Sequence, residues 1–212
     1  MSNRTALFSR KQPGGVFTVY DMAAHPGNIW FVDSGAAGGG DTAGHGHDPD
    51  SPFLTIDYAI GRCTANKGDV IYVMPGHSEV RTTAITCDIE GISIIGLGNG
   101  DDRPQITGGA NNIDVVTITS DNVTLENLYF NEATVATVNA NINIAAANCV
   151  VRKVHMDMGA NDRVGITITA DGEKPLIEQC SCIVTANGPD AWIDIEGIID
   201  MPVIRDNVIV GS

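Results

Sequence analysis

Hydrophobic and polar residues alternate along much of the chain, and the alternating segments repeat with a period close to 26 residues. Two series of apolar positions define the repeat. The first has spacings of 26, 26 and 27 residues and consists of Leu125, Val151, Ile177 and Ile204. The second has spacings of 26, 24 and 27 residues and consists of Ile118, Ile144, Ile168 and Ile195. Each period therefore contains short strands with one apolar face, separated by turns.

This period predicts one coil of a solenoid. It is too short for a propeller blade, and it contains no amphipathic helix. Stacked coils bring equivalent apolar residues together inside the tube and leave Thr, Asn, Asp and Glu outside. Asn122 and Asn148 fall at the same turn, where Asn tolerates the left-handed conformation of a sharp corner. We predict an all-β protein, a right-handed single-stranded parallel β-helix.

The predicted coils occupy residues 68–212. Two strands, Asp69–Val73 and Ile92–Ile95, extend the stack ahead of the regular repeats, and each is followed by residues typical of turns. Residues 1–28 show no clear period, and we expect them to form an extended arm.

Residues 29–67 are predicted to form a Gly-rich loop and an N-terminal cap. The cap contains a helix at about residues 52–65, because Ser51-Pro52 is a favourable helix start and the apolar residues that follow lie near helical period. A helix here would cover the end of the solenoid, which otherwise exposes strand edges and core.

The formal net charge is −14, with 43% hydrophobic and 5% aromatic residues. A surface this acidic repels nucleic acid and anionic membranes. It would favour binding to a basic surface of a partner, or it serves only to keep the protein soluble. Residues 1–20 are the exception, because they carry Arg4, Arg10 and Lys11 and no acid. We therefore predict a basic arm on an acidic body. We expect these three residues of the arm to bind a partner protein.

Five cysteines are present, which is an odd number with irregular spacing. They form neither a CxxC pair nor a secreted disulfide framework, so we expect buried free thiols and folding in a reducing cytosol. The N-terminal residues have no apolar core of signal-peptide length, and no apolar stretch approaches the ~20 residues of a membrane span. We expect neither routine secretion nor membrane insertion.

The last strand, which contains Val208, Ile209 and Val210, has no capping element after it in the sequence. An open solenoid end exposes strand edges and core side chains. We expect these three residues to contact another chain or a neighbour in an assembly.

Glu126 and Glu178 share a register two coils apart, with Arg152 between them. Stacked coils lie about 4.8 Å apart, so the two carboxylates would be ~10 Å apart, at the wide end of inverting-glycosidase geometry. The more economical interpretation is an exposed ladder of alternating charges that stabilises the sheet.

Metal binding is the other chemistry to consider. His45, His47, Asp48 and Asp50, with Asp41 nearby, could offer nitrogen and oxygen ligands, but their order matches no metal motif and a solvated loop is the simpler interpretation.

Two further histidines are isolated in the sequence. His77 follows a Pro-Gly turn, where bonding to backbone is the expected role, and His155 should face outward from its strand. No nucleophile elbow, phosphate loop or Cys/His spacing is present, so we predict no catalytic residue and no cofactor.

Residues 29–104 resemble a known family, and the N-terminal arm is not part of this resemblance. The segments Ile29-Trp-Phe-Val-Asp-Ser-Gly, Ser51-Pro-Phe-Leu-Thr-Ile-Asp-Tyr-Ala-Ile and Gly68-Asp-Val-Ile-Tyr-Val-Met-Pro-Gly-His-Ser-Glu79 resemble the opening of pectin-lyase-like β-helix proteins. A more particular resemblance is to small tailed-phage proteins of this fold that are encoded among virion structural genes. It lies in the last of these segments together with the segment that follows it, Gly91-Ile-Ser-Ile-Ile-Gly-Leu-Gly-Asn-Gly100.

This resemblance implies a structural virion protein, a capsid decoration (cement) protein that binds the major capsid protein and stabilises the head shell. It also implies a homotrimer on the capsid surface that folds in the host cytoplasm. Two alternatives stay open, since fold alone does not determine function. They are a polysaccharide lyase or depolymerase, and a carbohydrate-binding adhesion module.

Overall fold

The computed structural model describes residues 27–134, 137–186 and 189–211. They form eighteen short strands and one α-helix, α1 (Ile56–Ile60). The strands are β1 (Ile29–Val32), β2 (Val70–Val73), β3 (Ser78–Arg81), β4 (Ile85–Cys87), β5 (Ser93–Gly96), β6 (Gln105–Gly108), β7 (Asp114–Ile118), β8 (Thr124–Glu126), β9 (Tyr129–Asn131), β10 (Val138–Ile144), β11 (Val150–Arg152), β12 (His155–Met158), β13 (Asp162–Ile168), β14 (Leu176–Glu178), β15 (Ser181–Val184), β16 (Ala191–Ile195), β17 (Val203–Arg205) and β18 (Val208–Gly211).

Three parallel sheets run along the molecule, and each coil adds one strand to each sheet. Sheet 1 has the order β1-β2-β5-β8-β11-β14-β17, sheet 2 the order β4-β7-β10-β13-β16, and sheet 3 the order β3-β6-β9-β12-β15-β18. Five coils of three strands are followed by β17 and β18. The prediction of an all-β parallel β-helix is confirmed.

The register predicted from the 26-residue period is the register of the structure. Leu125, Val151, Ile177 and Ile204 are partners on successive strands of sheet 1. The first three side chains are fully buried, whereas Ile204 on the last strand is 41% exposed. The row of apolar side chains thus extends onto the last strand of sheet 1, where no further coil among the described residues covers it.

Residues in the left-handed conformation mark two corners of every regular coil. One corner series has positive φ at spacings of 26, 26 and 27 residues and consists of Asn122, Asn148, Lys174 and Met201. The other has the same spacings and consists of Asn127, Lys153, Gln179 and Asp206. At the first three corners of each series the backbone N–H donates to a carbonyl of the next coil, for example from Asn148 to Glu173. Stacking therefore holds even Lys153 and Lys174 in a conformation that lysine rarely adopts alone.

Helix α1 is shorter than the predicted helix at residues 52–65. Thr55 is its N-cap and its hydroxyl oxygen accepts the Tyr58 N–H at 3.3 Å, while Gly61 is its C-cap. The helix cannot begin at Pro52, because Phe53 is extended and its backbone exchanges hydrogen bonds with Phe31 and Asp33.

The helix packs against β1, β2 and β4. That it closes this end of the solenoid stays a prediction. The arm residues Arg4, Arg10 and Lys11 lie outside the described residues. No helix in the described ranges is long and apolar enough to cross a membrane.

All five cysteines are free thiols, as predicted, and four of them are buried while Cys63 is partly exposed. Burial raises the pKa of Cys149 and Cys180 to about 11. Burial, with a smaller contribution from the Asp69 charge, raises the pKa of Cys63 to about 12. These thiols fill space in the core, as small apolar side chains do.

Candidate functional site

The outer face of sheet 3 carries two rows of side chains, one residue from each strand. The first row runs through Ser78, Gln105, Tyr129, His155, Ser181 and Val208. The second row runs through Val80, Thr107, Asn131, Asp157, Ile183 and Val210. The middle of this face is polar, and its last two strands contribute exposed apolar residues.

Four side chains in the middle of sheet 3 form one hydrogen-bonded chain. The Ser181 Oγ lies 2.6 Å from His155 Nδ1, and His155 Nε2 lies 3.0 Å from Asp157 Oδ1. The Tyr129 hydroxyl bonds to the other Asp157 oxygen, Oδ2. The Tyr129 ring also meets the His155 ring edge-on, with centroids 4.8 Å apart. His155 is thus held from three sides, while Ser181 stays partly exposed.

The direction of each hydrogen bond follows from the carboxylate, which can only accept. His155 Nε2 therefore carries a proton, and in the neutral ring Nδ1 accepts from the Ser181 hydroxyl. Burial, followed by the hydrogen bond and charge of Asp157, raises the pKa of Tyr129 to about 12, so its hydroxyl remains a donor at neutral pH. A serine hydroxyl that donates to a histidine, which in turn donates to a carboxylate, is the arrangement that activates a serine as a nucleophile.

The same 26-residue period that locates the core could have located this chain of residues. Tyr129 and Ser181 lie 26 residues before and after His155, and Asp157 follows His155 by two on the same strand face. The prediction that His155 faces outward is consistent with its position, but its partners were not predicted. The 26-residue comparison that aligns Glu126 with Arg152 on sheet 1 is the signal that finds this chain of residues when it is extended to Tyr129, His155 and Ser181.

A polar groove of about 360 Å³ lies on the outer face of sheet 2. Its polar lining consists of Asp114, Asn139, Asn143, Arg163, Thr167, Asp190, Asp194 and Glu196. Asn143 Nδ2 donates to Asp114 at 2.7 Å, and Arg163 pairs with Asp190 at 3.2 Å. The buried Asn143 Oδ1 has no partner among the described residues. The groove therefore combines several acids with one arginine.

The predicted pair Glu126 and Glu178 belongs to an ion-pair ladder on sheet 1. Arg152 lies 2.7 Å from Glu126, and Arg205 lies 2.7 Å from Glu178. Partial burial alone would raise the pKa of Glu126, but hydrogen bonds from Lys153 and Arg152 outweigh it and lower the pKa. Because a glycosidase acid needs a raised pKa, this arrangement supports the charge-ladder interpretation.

The weak metal candidates in the Gly-rich loop make other contacts. His45 Nδ1 lies 3.0 Å from the Ser51 hydroxyl, and His47 lies against the Trp30 ring at 4.4 Å. Asp48 accepts the Asp50 N–H at 2.9 Å. Within residues 27–134, 137–186 and 189–211, no three His, Cys, Asp or Glu side chains are grouped to hold a metal ion.

His77 is fully buried and links three parts of the N-terminal region. Its Nδ1 accepts the Ser34 N–H at 3.0 Å, as expected for a turn histidine bonded to backbone, and its Nε2 lies 3.1 Å from Glu79. Glu79 also accepts from Arg81 at 2.8 Å and from the Ile56 N–H at 3.3 Å. The network joins the segment after β1, helix α1 and strand β3, so its role is structural.

The C-terminal apolar surface is the largest group of exposed apolar side chains among the described residues. It consists of Ile195, Ile198, Met201, Val203, Ile204, Val208, Ile209 and Val210. Ile195, Ile204 and Ile209 continue the buried ladders of Ile168, Ile177 and Cys182. The outer edges of β16, β17 and β18 have no strand partner within the described ranges. The predicted contact residues Val208, Ile209 and Val210 are all more than half exposed.

No protein-family model matches the chain, and no curated protein matches it. Among solved structures, the chain is similar to a rhamnogalacturonan lyase, with a TM-score of 0.45 and 14% sequence identity. The similarity covers 87% of this chain and 62% of that chain, so this protein spans less than two thirds of the length of the lyase structure.

Proposed function

We propose that this protein is a structural component that binds another protein chain through its C-terminal apolar surface. The observation that supports this is the exposure of core-ladder side chains beside three unpaired strand edges. Burying one half-exposed Ile or Val contributes about 1 kcal/mol, so the surface as a whole could contribute several kcal/mol to binding. Exposed apolar patches next to open sheet edges are sites of association.

The proposed partner is the major capsid protein of a tailed phage, and the proposed assembled form is a homotrimer on the capsid surface. The sequence resemblance to small virion proteins supports this choice of partner. Arg4, Arg10 and Lys11 would add contacts to acidic parts of the shell, and such tethered contacts increase affinity through effective concentration.

The experiment is a binding test with phage heads stripped of decoration. The purified protein is mixed with the heads, which are sedimented, and the bound copies per particle are counted on gels and by cryo-microscopy. We expect saturable binding at symmetric positions, and loss of binding when residues 1–28 are removed. Heads that sediment without the protein at any concentration would rule out the capsid partner.

The alternative is an enzyme that acts on an acidic or neutral polysaccharide. The groove on sheet 2 favours it, because the groove brings several acids and one arginine together on one sheet, where the polar groups of a sugar could bind. This function predicts that a panel of polysaccharides yields unsaturated or shortened products, and that Arg163→Ala abolishes them while Arg152→Ala on sheet 1 does not. The absence of products from the whole panel would exclude this alternative.

A further inference from the structure

We propose that Ser181 is a nucleophile activated by His155, and that its substrates are acyl esters with a small apolar acyl group. The proposal rests on the 2.6 Å contact between Ser181 Oγ and His155 Nδ1 and on the 3.0 Å contact between His155 Nε2 and Asp157. Its reacting side chains, Ser181, His155 and Asp157, lie outside the C-terminal apolar surface and outside the groove on sheet 2, although two residues of that surface, Val208 and Val210, lie beside Ser181.

The arrangement has the two contacts that serine activation needs. A base lies within hydrogen-bond reach of the hydroxyl proton, and a third group fixes the tautomer of that base. Asp157 fixes the tautomer because it accepts from Nε2, and Tyr129 holds Asp157 through its second oxygen. The roles match those of a Ser-His-Asp triad, which is recognised by geometry and not by sequence order. Here the serine meets Nδ1 and the carboxylate meets Nε2, the reverse of the familiar assignment.

The surroundings of Ser181 determine the substrate class. Val208 is the next residue in the same row, and Ile183 and Val210 lie beside it in the second row. These three side chains are 40–56% exposed and form an apolar surface next to the hydroxyl. A short apolar acyl group could lie on this surface, while its ester carbonyl carbon meets Ser181 Oγ.

In the proposed step, Ser181 Oγ forms a bond to the carbonyl carbon as its proton passes to His155 Nδ1. The carbon–oxygen bond to the leaving alcohol then breaks, and His155 returns the proton to that alcohol. A water molecule hydrolyses the acyl-serine by the same route, with its proton taken up by His155 and delivered to Ser181. No oxidant, metal or cofactor enters the balance.

The nearest backbone donors do not stabilise an oxyanion. The Ser181 N–H donates to the Val154 carbonyl, and the Val208 N–H donates to the Cys180 carbonyl, both at 2.9 Å. Loss of one oxyanion donor costs a hydrolase about 10²–10³ in rate, so we expect slow turnover. Covalent capture of Ser181 is therefore a sharper test than ester hydrolysis.

The experiment treats the full chain with an alkyl fluorophosphonate, which loses fluoride as the serine oxygen bonds to phosphorus. Intact-mass and peptide mass spectrometry locate and time the adduct. We expect one adduct, on Ser181, which is absent in Ser181→Ala and forms roughly 100-fold more slowly in His155→Gln, the lower end of what a general base provides. Ser93→Ala, which removes a partly exposed serine from sheet 1, is the matched control and should label as the wild type does.

Asp157 is a positioning residue, and its test is spectroscopic. In protein with ¹⁵N-labelled histidine, the His155 signals should report a proton on Nε2, and Asp157→Asn should shift the ring toward the Nδ1-protonated form. The proposal is overturned if Ser181 takes up no adduct, or if His155→Gln labels at the wild-type rate. Either result would leave capsid binding unaffected, so the two proposals fail separately.

Discussion

The buried network around Glu79 provides the most direct test of how the N-terminal region is attached to the coils. We consider Glu79→Ala, which removes the shared acceptor of His77, Arg81 and the Ile56 N–H. Glu79 is 7% exposed and His77 is fully buried, so water cannot readily replace the carboxylate.

The loss of stability follows from the number of buried hydrogen-bond donors that no longer have an acceptor. A buried donor without an acceptor costs about 1–3 kcal/mol, and the substitution leaves two, His77 Nε2 and the Ile56 N–H. The loss of the Arg81 contact costs less free energy, because the partly exposed Arg81 guanidinium also lies 3.9 Å from Asp57. We expect Glu79→Ala to lower the free energy of unfolding by about 3–5 kcal/mol, in the range for breaking a buried ion pair. Glu79→Gln keeps one acceptor oxygen and should lose about half as much.

The assay is urea denaturation followed by circular dichroism, with amide hydrogen exchange to locate the loss. Faster exchange should appear first at residues 29–60, which the network fastens to strand β3. Glu173→Ala is the matched control, because Glu173 is exposed and its removal should change the free energy of unfolding by less than about 0.5 kcal/mol. If Glu79→Ala and Glu173→Ala are equally stable, the network does not hold the region in place.

Four further predictions concern stability and reactivity. Ile177→Ala should lower the free energy of unfolding, measured by denaturation, by about 2–5 kcal/mol. Ile204→Ala in the same register should lower it by less than about 1 kcal/mol, because Ile204 is 41% exposed. Equal losses would contradict the exposure of Ile204. Lys174→Asn should stabilise the protein by about 0.5–1 kcal/mol, because Asn tolerates the positive φ at that corner, and a lower melting temperature would refute this. At pH 8 the native Cys149 and Cys180 should react with iodoacetamide about 100-fold more slowly than in urea, because burial raises the pKa of both thiols to about 11. The unfolded thiols ionise near pH 9 and the native ones near pH 11, so the free energy of unfolding should fall as the pH rises through that interval.

The coil architecture could be predicted because stacking repeats one environment every 26 residues. Leu125, Val151 and Ile177 occupy equivalent buried positions, so their spacing alone gave the register of sheet 1. The same spacing also fixes the rows of outward-facing side chains, and when it is applied to Tyr129 it pairs that residue with His155, 26 residues later.

Other features depend on contacts that no local pattern encodes. Lys174 has a low intrinsic preference for the left-handed conformation, yet the N–H it donates to the Asp200 carbonyl holds it there. Helix α1 is shortened because Phe53 pairs with β1, which lies more than twenty residues earlier.

Binding of a single-residue series to stripped phage heads tests the central claim most directly. Ile209→Asp places a charge in the C-terminal apolar surface, where desolvating it on binding costs several kcal/mol. Val80→Asp is the control, because Val80 is 62% exposed on the same sheet at the opposite end. We predict wild-type binding for Val80→Asp and at least a tenfold weaker affinity for Ile209→Asp. Equal binding of the two variants would contradict a structural role exercised through this surface.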